Sequence, residues 1–285
     1  MTTITTLLAH AADTLARAGV PTPRVDAELL IGHVLGLSRG GVQAKAVTET
    51  AVSDADAAAI AALVDRRAAR EPLQHITGRA PFRSLELAVG PGVFVPRPET
   101  EQVAQFAIDA LSAAAGDSPI GVDLGTGSGA IALAMASEVP HARVFAIEVS
   151  TEAFPWTMRN VRASGLDNIR AELGDLATAF PELDGTVSVV ISNPPYIPLG
   201  AVPRDPEVRL HDPAVALYGG EDGLDLVHAV SATALRLLHP GGTLVIEHGE
   251  LQAAEIADLL AADGWRAIAS HRDLLGRDRA TTAIR

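Results

Sequence analysis

Apolar and polar positions recur with two different periods along this chain, and the change between them divides it. Up to about residue 75 the spacing is helical: Leu7, Leu8, Ala11, Leu15 and Ala18, then Ala27, Leu29, Leu30, Val34 and Leu35, then an alanine-rich stretch over 57–70 charged on one side. Breaks at Gly19-Val20-Pro21, at 37–41 and at Ser53-Asp54 separate these helices, with Ser53 placed to cap the last of them. Residues 1–79 are therefore expected to form a small helical domain. Over 80–97 the period falls to two: residues 82–87 alternate, Gly90-Pro91-Gly92 turns, and Val93-Phe94-Val95 returns, a pattern that predicts a β-hairpin linker. Beyond residue 98, strands over 120–124, 142–147, 169–173, 187–192 and 243–247 are interleaved with helices over 130–137, 151–164, 224–238 and 251–262. Two closing strands, 265–270 and 279–284, have no long helix between them. The order predicts an α/β domain over 98–285, with a Rossmann-like parallel sheet covered on both faces and one antiparallel edge strand.

The fourth strand of that sheet, Val187-Ser188-Val189-Val190-Ile191-Ser192, stops at Asn193-Pro194-Pro195-Tyr196. Proline has no N–H for a ladder and restricts the residue before it, so the strand ends sharply at an edge where open α/β sheets bind ligands. Asn193 offers a side-chain carbonyl, and the prolines bring carbonyls without N–H groups. The loop is rich in acceptors and poor in competing donors, which suits a substrate –NH2 group beside the flat wall of Tyr196. Taken alone, Asn-Pro-Pro is a strand-ending turn. The residues upstream change that reading.

Between the first strand and first helix of the sheet lies Asp123-Leu124-Gly125-Thr126-Gly127-Ser128-Gly129-Ala130. Glycines let the backbone turn tightly against a ligand, and the following helix N-terminus offers free N–H groups. Glu148 ends the second strand, where a carboxylate can accept hydrogen bonds from ribose hydroxyls. Together they predict an adenosine-containing cofactor. Gly125, Gly127 and Ala130 also satisfy the G-x-G-x-x-A fingerprint, so the loop alone leaves NAD and S-adenosyl-L-methionine both open. Asp123, able to face a positively charged cofactor, and the acceptor loop after the fourth strand favour S-adenosylmethionine. Nothing resembles the His or Tyr-Lys apparatus of a dehydrogenase. Asp175, after the third strand, either borders an adenine or belongs to a simple turn.

Composition narrows the classes. The chain has 285 residues, a formal charge of −13 and no cysteine. Disulfides, thiolate metal sites and a cysteine nucleophile are excluded, and affinity built mainly on phosphate neutralisation is disfavoured. Lys45 is the only lysine and lies outside any glycine loop, which argues against Schiff-base chemistry and a Walker-type lysine. Neither an export signal nor an apolar run of membrane length is evident, so a cytoplasmic protein is expected. The nine histidines show no metal-binding spacing, and His248, after the fifth strand, reads as a packing residue rather than a base.

With these residues in place, the chain resembles the S-adenosylmethionine-dependent methyltransferases, and among them the release factor glutamine methyltransferases of the PrmC/HemK family. The likeness runs through Arg70-Glu71-Pro72-Leu73-Gln74, Gly78, Phe82, residues 95–101 (Val-Pro-Arg-Pro-Glu-Thr-Glu), the glycine loop, Asn193-Pro194-Pro195-Tyr196, residues 216–225, His248-Gly249 and residues 273–279. Three positions depart from the family pattern: His75 stands for a tyrosine, Asp212 for a glutamate and Leu176 for an aromatic. The resemblance implies a class I methyltransferase sheet and N5-methylation of the glutamine in the Gly-Gly-Gln motif of peptide chain release factors. S-adenosylmethionine would become S-adenosyl-L-homocysteine, with no metal and no covalent enzyme intermediate. It further implies that the cofactor rests on Asp123, Gly125, Thr126, Gly127, Ser128, Gly129, Glu148, Asp175, Leu176 and Asn193. Asn193 and the Pro194 carbonyl would hold the amide, and Phe94, Pro195 and Tyr196 would pack around it. The helical domain would dock the release factor, and the enzyme would work as a monomer away from membranes and without direct nucleic-acid binding. Two rivals remain: an adenine-N6 methyltransferase, which needs a basic groove that the charge disfavours, and a non-catalytic adenosine-binding protein.

Overall fold

A computed structural model describes residues 2–285 of the chain. It divides into two compact units, one containing the residues up to Arg79 together with Arg204–His211, the other Ala80–Pro203 and Asp212–Arg285.

The first unit is helical: α1 (Ile4–Arg17), α2 (Pro23–Leu35), α3 (Arg39–Val47), α4 (Asp54–Ala68) and the short α5 (Leu73–Thr77). Hydroxyl caps start three of these, Thr3 accepting from Thr6 N–H, Ser38 from Gly41 N–H and Ser53 from Asp56 N–H. The helical stripes meet in a core that includes Ile4, Leu15, Leu30, Ile31, Val42 and Ile60. One feature of α2 breaks the apolar pattern: Asp26 and Glu28 are buried. Glu28 accepts from Arg39 at 2.6 Å, Gln43 at 2.9 Å and Arg24 at 3.3 Å.

In the second unit the hairpin pairs β1 (Arg79–Phe82) with β2 (Leu85–Ala88) across Arg83-Ser84. This corrects the expected turn at Gly90-Pro91-Gly92. Arg83 adopts φ 53°, and its backbone N–H and guanidinium are tied to Glu101, Gln105 and Glu138, a set of distant partners that holds a turn the dipeptide itself does not signal. Val93 and Val95 form no strand and are instead buried with Val89, Ala153 and Trp156.

The remaining elements are α6 (Pro98–Ala113), β3 (Ile120–Leu124), α7 (Ala130–Glu138), β4 (Arg143–Glu148), α8 (Phe154–Ser164), β5 (Ile169–Leu173), β6 (Val187–Ser192), α9 (Pro206–His211), α10 (Asp225–Leu237), β7 (Leu238–Glu247), α11 (Ala253–Ala262), β8 (Arg266–Arg272) and β9 (Asp278–Ile284). Strand order is β5-β4-β3-β6-β7-β9-β8. The first five strands are parallel, and β9 runs antiparallel to both β7 and β8, so the reversed strand lies one in from the edge. Side chains alternate between two cores: Val144, Ala146, Val189 and Ile191 join Leu133 and Met135 on one face, while Phe145, Ile147, Val190 and Leu244 join Val227 and Leu237 on the other. Two boundaries move. α8 starts at Phe154 because Ser150 Oγ first accepts from Glu152 and Ala153, and β7 starts at Leu238, which pairs with Val187 across a register shift.

After Pro203 the chain leaves this unit for α9, which belongs to the helical unit, and returns at Asp212. Glu207 of α9 accepts from Arg67 Nη1 at 2.7 Å and from Arg70 Nη2 at 2.6 Å, while Arg67 Nε donates to Asp26 at 2.8 Å. Burial alone would raise the Glu207 carboxyl, but the hydrogen bonds from Arg70 and Arg67 outweigh it and hold it at about 2. A depressed carboxyl stabilises the fold above its unfolded value of 4.5, and that contribution is lost as pH falls toward 2. We expect Glu207→Gln at pH 7 to destabilise the helical unit by on the order of 2 kcal/mol, below the ~3–5 of a fully enclosed pair. Amide exchange over 204–211 should accelerate several-fold; unchanged exchange would show that α9 is held by other means.

Candidate active site

The C-terminal ends of β3, β4, β5, β6 and β7 lie along one edge of the sheet, and every candidate from the sequence except Phe94 sits on a strand end or loop there. Strand order reverses between β3 and β6, the place where such sheets open a cleft. At that point Ser192 Oγ donates to Leu124 O at 2.6 Å, joining the strand that feeds the glycine loop to the strand that feeds Asn193.

The glycine loop is held from four sides. Gly125 and Thr126 donate their N–H groups to Ile147 O at 3.0 and 2.9 Å, Glu148 Oε2 accepts from Gly127 N–H at 2.8 Å, and Thr157 Oγ1 donates to Gly127 O at 2.6 Å. Asn160 Nδ2 donates to Ser128 O at 2.9 Å. Gly125 and Gly127 have φ of 80° and 59°, and a Cβ on either would meet nothing within 4 Å, so the loop combines a backbone that only glycine adopts easily with open space above it. That cradle at the start of α7, with acceptor capacity left on Glu148, fits an adenosine cofactor.

Asp123 is placed differently from the expectation that it faces the cofactor. It is fully buried behind the loop, where Oδ2 accepts from Thr126 Oγ1 at 2.6 Å and from Ala132 N–H at 3.2 Å. Burial pushes it up to about 7, against the lowering effect of those two bonds. Its work is on the loop. Glu148 likewise spends one oxygen on Gly127 and the other on Ser150 N–H at 2.7 Å. Asp175 is exposed and accepts from Ala177 N–H to begin a short 3-10 turn, with Leu176 half-buried next to it.

Asn193 and Tyr196 are half-buried and Pro194 is buried. Backbone from 217–223 braces this loop: Ile197 N–H donates to Leu217 O at 2.8 Å and Gly219 N–H to Ile197 O at 3.0 Å, while Gln252 Nε2 donates to Tyr196 O at 3.0 Å. The approach is so close that a Cβ on Gly219 would lie 2.3 Å from Pro195 O, and one on Gly223 2.3 Å from Tyr196 O. Burial first, then the nearby Glu247, pushes the Tyr196 phenol up to about 12, so it stays protonated. Phe94 carries the Arg97 guanidinium 4.8 Å from its ring centroid, and Arg97 is also paired with Asp212. Glu99 pairs with Arg277 at 3.2 Å.

His248 is buried with both ring nitrogens engaged, Nδ1 donating to Gly249 O at 2.9 Å and Nε2 accepting from Thr281 Oγ1 at 3.0 Å. Burial lowers it further, so it is a neutral packing residue. Sequence reasoning did not single out Thr157 and Asn160, which hold the glycine loop, nor Glu247, and it met Thr100 only as part of the 95–101 motif; the last two lie beside Asn193, whose Nδ2 donates to Thr100 Oγ1 at 3.5 Å, with Thr100 Oγ1 donating to Glu247 Oε1 at 3.1 Å. The glycines at 219 and 223, noted as part of a motif, now have a cause. Gly219→Ala should lower turnover by about 10²-fold or more while leaving cofactor affinity within a few-fold, because it displaces the acceptor loop and not the glycine loop; equal losses in both would refute that division of labour.

Comparison with known proteins places this architecture. Residues 6–78 match the PrmC N-terminal domain and residues 84–203 the methyltransferase small domain. The release factor glutamine methyltransferase of Streptomyces coelicolor is 52% identical over 279 residues, covering 97% of this chain and 96% of that protein. Its counterpart in Bifidobacterium longum is 44% identical over 292 residues, covering 99% of each. A 4-amino-L-phenylalanine/4-methylamino-L-phenylalanine methyltransferase of Streptomyces pristinaespiralis is 40% identical over 288 residues, covering 99% of this chain and 95% of that protein. The sheet is that of a class I, S-adenosylmethionine-dependent methyltransferase, and the chain belongs to the release factor glutamine methyltransferase family.

Proposed function

We propose that this protein methylates the side-chain amide nitrogen, N5, of the glutamine in the Gly-Gly-Gln motif of peptide chain release factors. The observation that carries this reading is the acceptor loop: Asn193 and Pro194 leave β6 beside the glycine loop, with the two parent strands tied at 2.6 Å by Ser192 and Leu124. Bound on the glycine loop, S-adenosylmethionine supplies an electrophilic methyl group.

An amide nitrogen is a poor nucleophile because its lone pair is delocalised into the carbonyl. The residues of this chain must therefore hold it in place and favour loss of that conjugation. Asn193 Oδ1 and Pro194 O are the acceptors for its two N–H bonds, and Pro195, Tyr196 and Phe94 wall the side chain. The protonated phenol of Tyr196 and the neutral, fully engaged His248 offer no base, so orientation and electrostatics do the work: N5 gains the methyl carbon as that carbon's bond to sulfur breaks, and one N5 proton is lost to solvent. Gly125, Thr126, Gly127, Ser128, Gly129 and Glu148 support the cofactor, with Asp123 behind them and Asp175, Leu176 and Asn193 at the margins.

The helical unit docks the body of the release factor, and the enzyme acts as a cytoplasmic monomer with no nucleic-acid partner. A charge of −13 supports that last point, since duplex binding draws its affinity from cations.

Labelled methyl transfer tests the reading. Release factor should be labelled, its Gln→Ala variant not, and DNA and 4-amino-L-phenylalanine only at background. Label on the free amine or on DNA instead would assign the acceptor loop to a different –NH2 group. Asn193→Ala, folded and cofactor-bound, should lose about 10²-fold or more in turnover, as when one preorganised transition-state partner is removed; wild-type turnover would withdraw the role given to Asn193.

A further inference from the structure

We propose that Thr100 and Glu247 are positioning residues that fix which end of the Asn193 carboxamide faces the substrate. This rests on the reading of Asn193 as the residue that holds the amide. The three side chains form a line from the loop after β6, through the first turn of α6, to the last residue of β7. Asn193 Nδ2 lies 3.5 Å from Thr100 Oγ1, which lies 3.1 Å from Glu247 Oε1. Thr100 is 4% and Glu247 2% exposed, so water does not compete for either group.

The polarity of this line follows from hydrogen-bonding capacity. A carboxylate only accepts, so Thr100 must give its one hydroxyl hydrogen to Glu247. What remains on Oγ1 is lone pairs, and only the NH2 end of Asn193 can meet them. Its oxygen is thereby turned outward, which is the end a substrate –NH2 group requires. Without the line, the two ends of a carboxamide are nearly the same shape, and a half-turn about χ2 would present donors where acceptors are needed.

Charged and titratable groups from each neighbouring element bear on Glu247: Glu99 from α6, Arg279 from β9 and Tyr196 from the loop after β6. Burial is the largest influence and pushes it up to about 7, against Thr100 and Arg279, with Glu99 adding to the rise. Above that value Glu247 is the obligate acceptor that the argument needs. Its second oxygen, Oε2, is buried and has no hydrogen-bond partner among the described residues, so the hydrogen bond given for this carboxylate is the one from Thr100.

The test is a double-mutant cycle on the full chain at pH 8.5, with release factor as substrate. Thr100→Val keeps the shape and removes the hydroxyl. It should lower kcat about tenfold, the kinetic equivalent of one neutral hydrogen bond, while the cofactor Kd from calorimetry stays within about twofold. Thr100→Ser should restore most of the rate. In an Asn193→Ala background, Thr100→Val should cost nothing further, because the residue through which it acts is gone. Glu247→Gln, of the same shape but able to donate as well as accept, should lower kcat in the same direction and serves if Thr100→Val folds poorly by thermal melting. The inference is overturned if Thr100→Val and Glu247→Gln turn over at the wild-type rate, or if their losses persist undiminished in the Asn193→Ala background. Full activity of Asn193→Ala itself would instead remove the amide-holding reading.

Discussion

Ser192 Oγ donates to the carbonyl of Leu124 at 2.6 Å, with both groups buried at the last positions of β6 and β3. The pairing of β3 with β6 ends one residue earlier, at Asp123 and Ile191, and beyond Asn193 the chain brings only Pro194 and Pro195, which have no N–H, so this side-chain bond extends the tie to the end of both strands. The helices that follow these strands pack on opposite faces, α7 with Leu133 and Met135 in one core and α10 with Val227 and Leu237 in the other, and they leave the cleft between them. A cross-strand tie at this place makes the cofactor loop and the acceptor loop start from one rigid base. In-line methyl transfer tolerates little error in distance, and a shift of about 1 Å between the two loops would be costly.

The acceptor loop reaches its geometry by contact of backbone with backbone. Residues 217–223 approach so closely that side chains at Gly219 and Gly223 would overlap carbonyls of Pro195 and Tyr196. The carbonyls of Pro195 and Tyr196 are taken up against this backbone and Gln252, which holds the loop in place and leaves Asn193 and Pro194 as its remaining acceptors. On the proposed reading, this arrangement suits an –NH2 group more than any one molecule. On that reading discrimination between –NH2 substrates falls to the walls, where the Arg97 guanidinium lies over the Phe94 ring and is paired with Asp212.

Local pattern carried most of the fold. The parallel strands were legible because they are apolar on both faces, as with Val189 and Ile191 on one and Val190 on the other, and the helices because Leu8, Ala11 and Leu15 share one stripe. The hairpin was misplaced because its turn is held by contacts from Arg83 to Glu101, Gln105 and Glu138 and not by turn-forming residues, whereas Gly90-Pro91-Gly92 reads as a turn and forms none of the hairpin. The membership of α9 in the helical unit was equally hidden, since Glu207 meets Arg67 and Arg70 from nearly 140 positions away. At the candidate site, Asn193, the glycines and Glu148 stand out in the sequence because each belongs to a local motif. Thr100 and Glu247 as a pair do not: they stand 147 positions apart, and neither has a meaning until the sheet brings them together.

Asp123 and Glu247 show what the fold gives up at this edge. Each is a buried carboxyl raised to about 7, each accepts a threonine hydroxyl, and each keeps one oxygen without a partner among the described residues. Burying such groups destabilises a protein, and an apolar residue of similar volume would often be the more stable choice. A leucine at 247 would remove the desolvation cost but leave the Thr100 hydroxyl free to donate to Asn193 Oδ1, reversing the carboxamide. At 123 the same change would release Thr126 and the Ala132 N–H from the turn on which the glycine loop depends. Stability and orientation thus pull in opposite directions at both positions, and the carboxyls remain where a single orientation is needed on the ligand side of a hydroxyl or a loop.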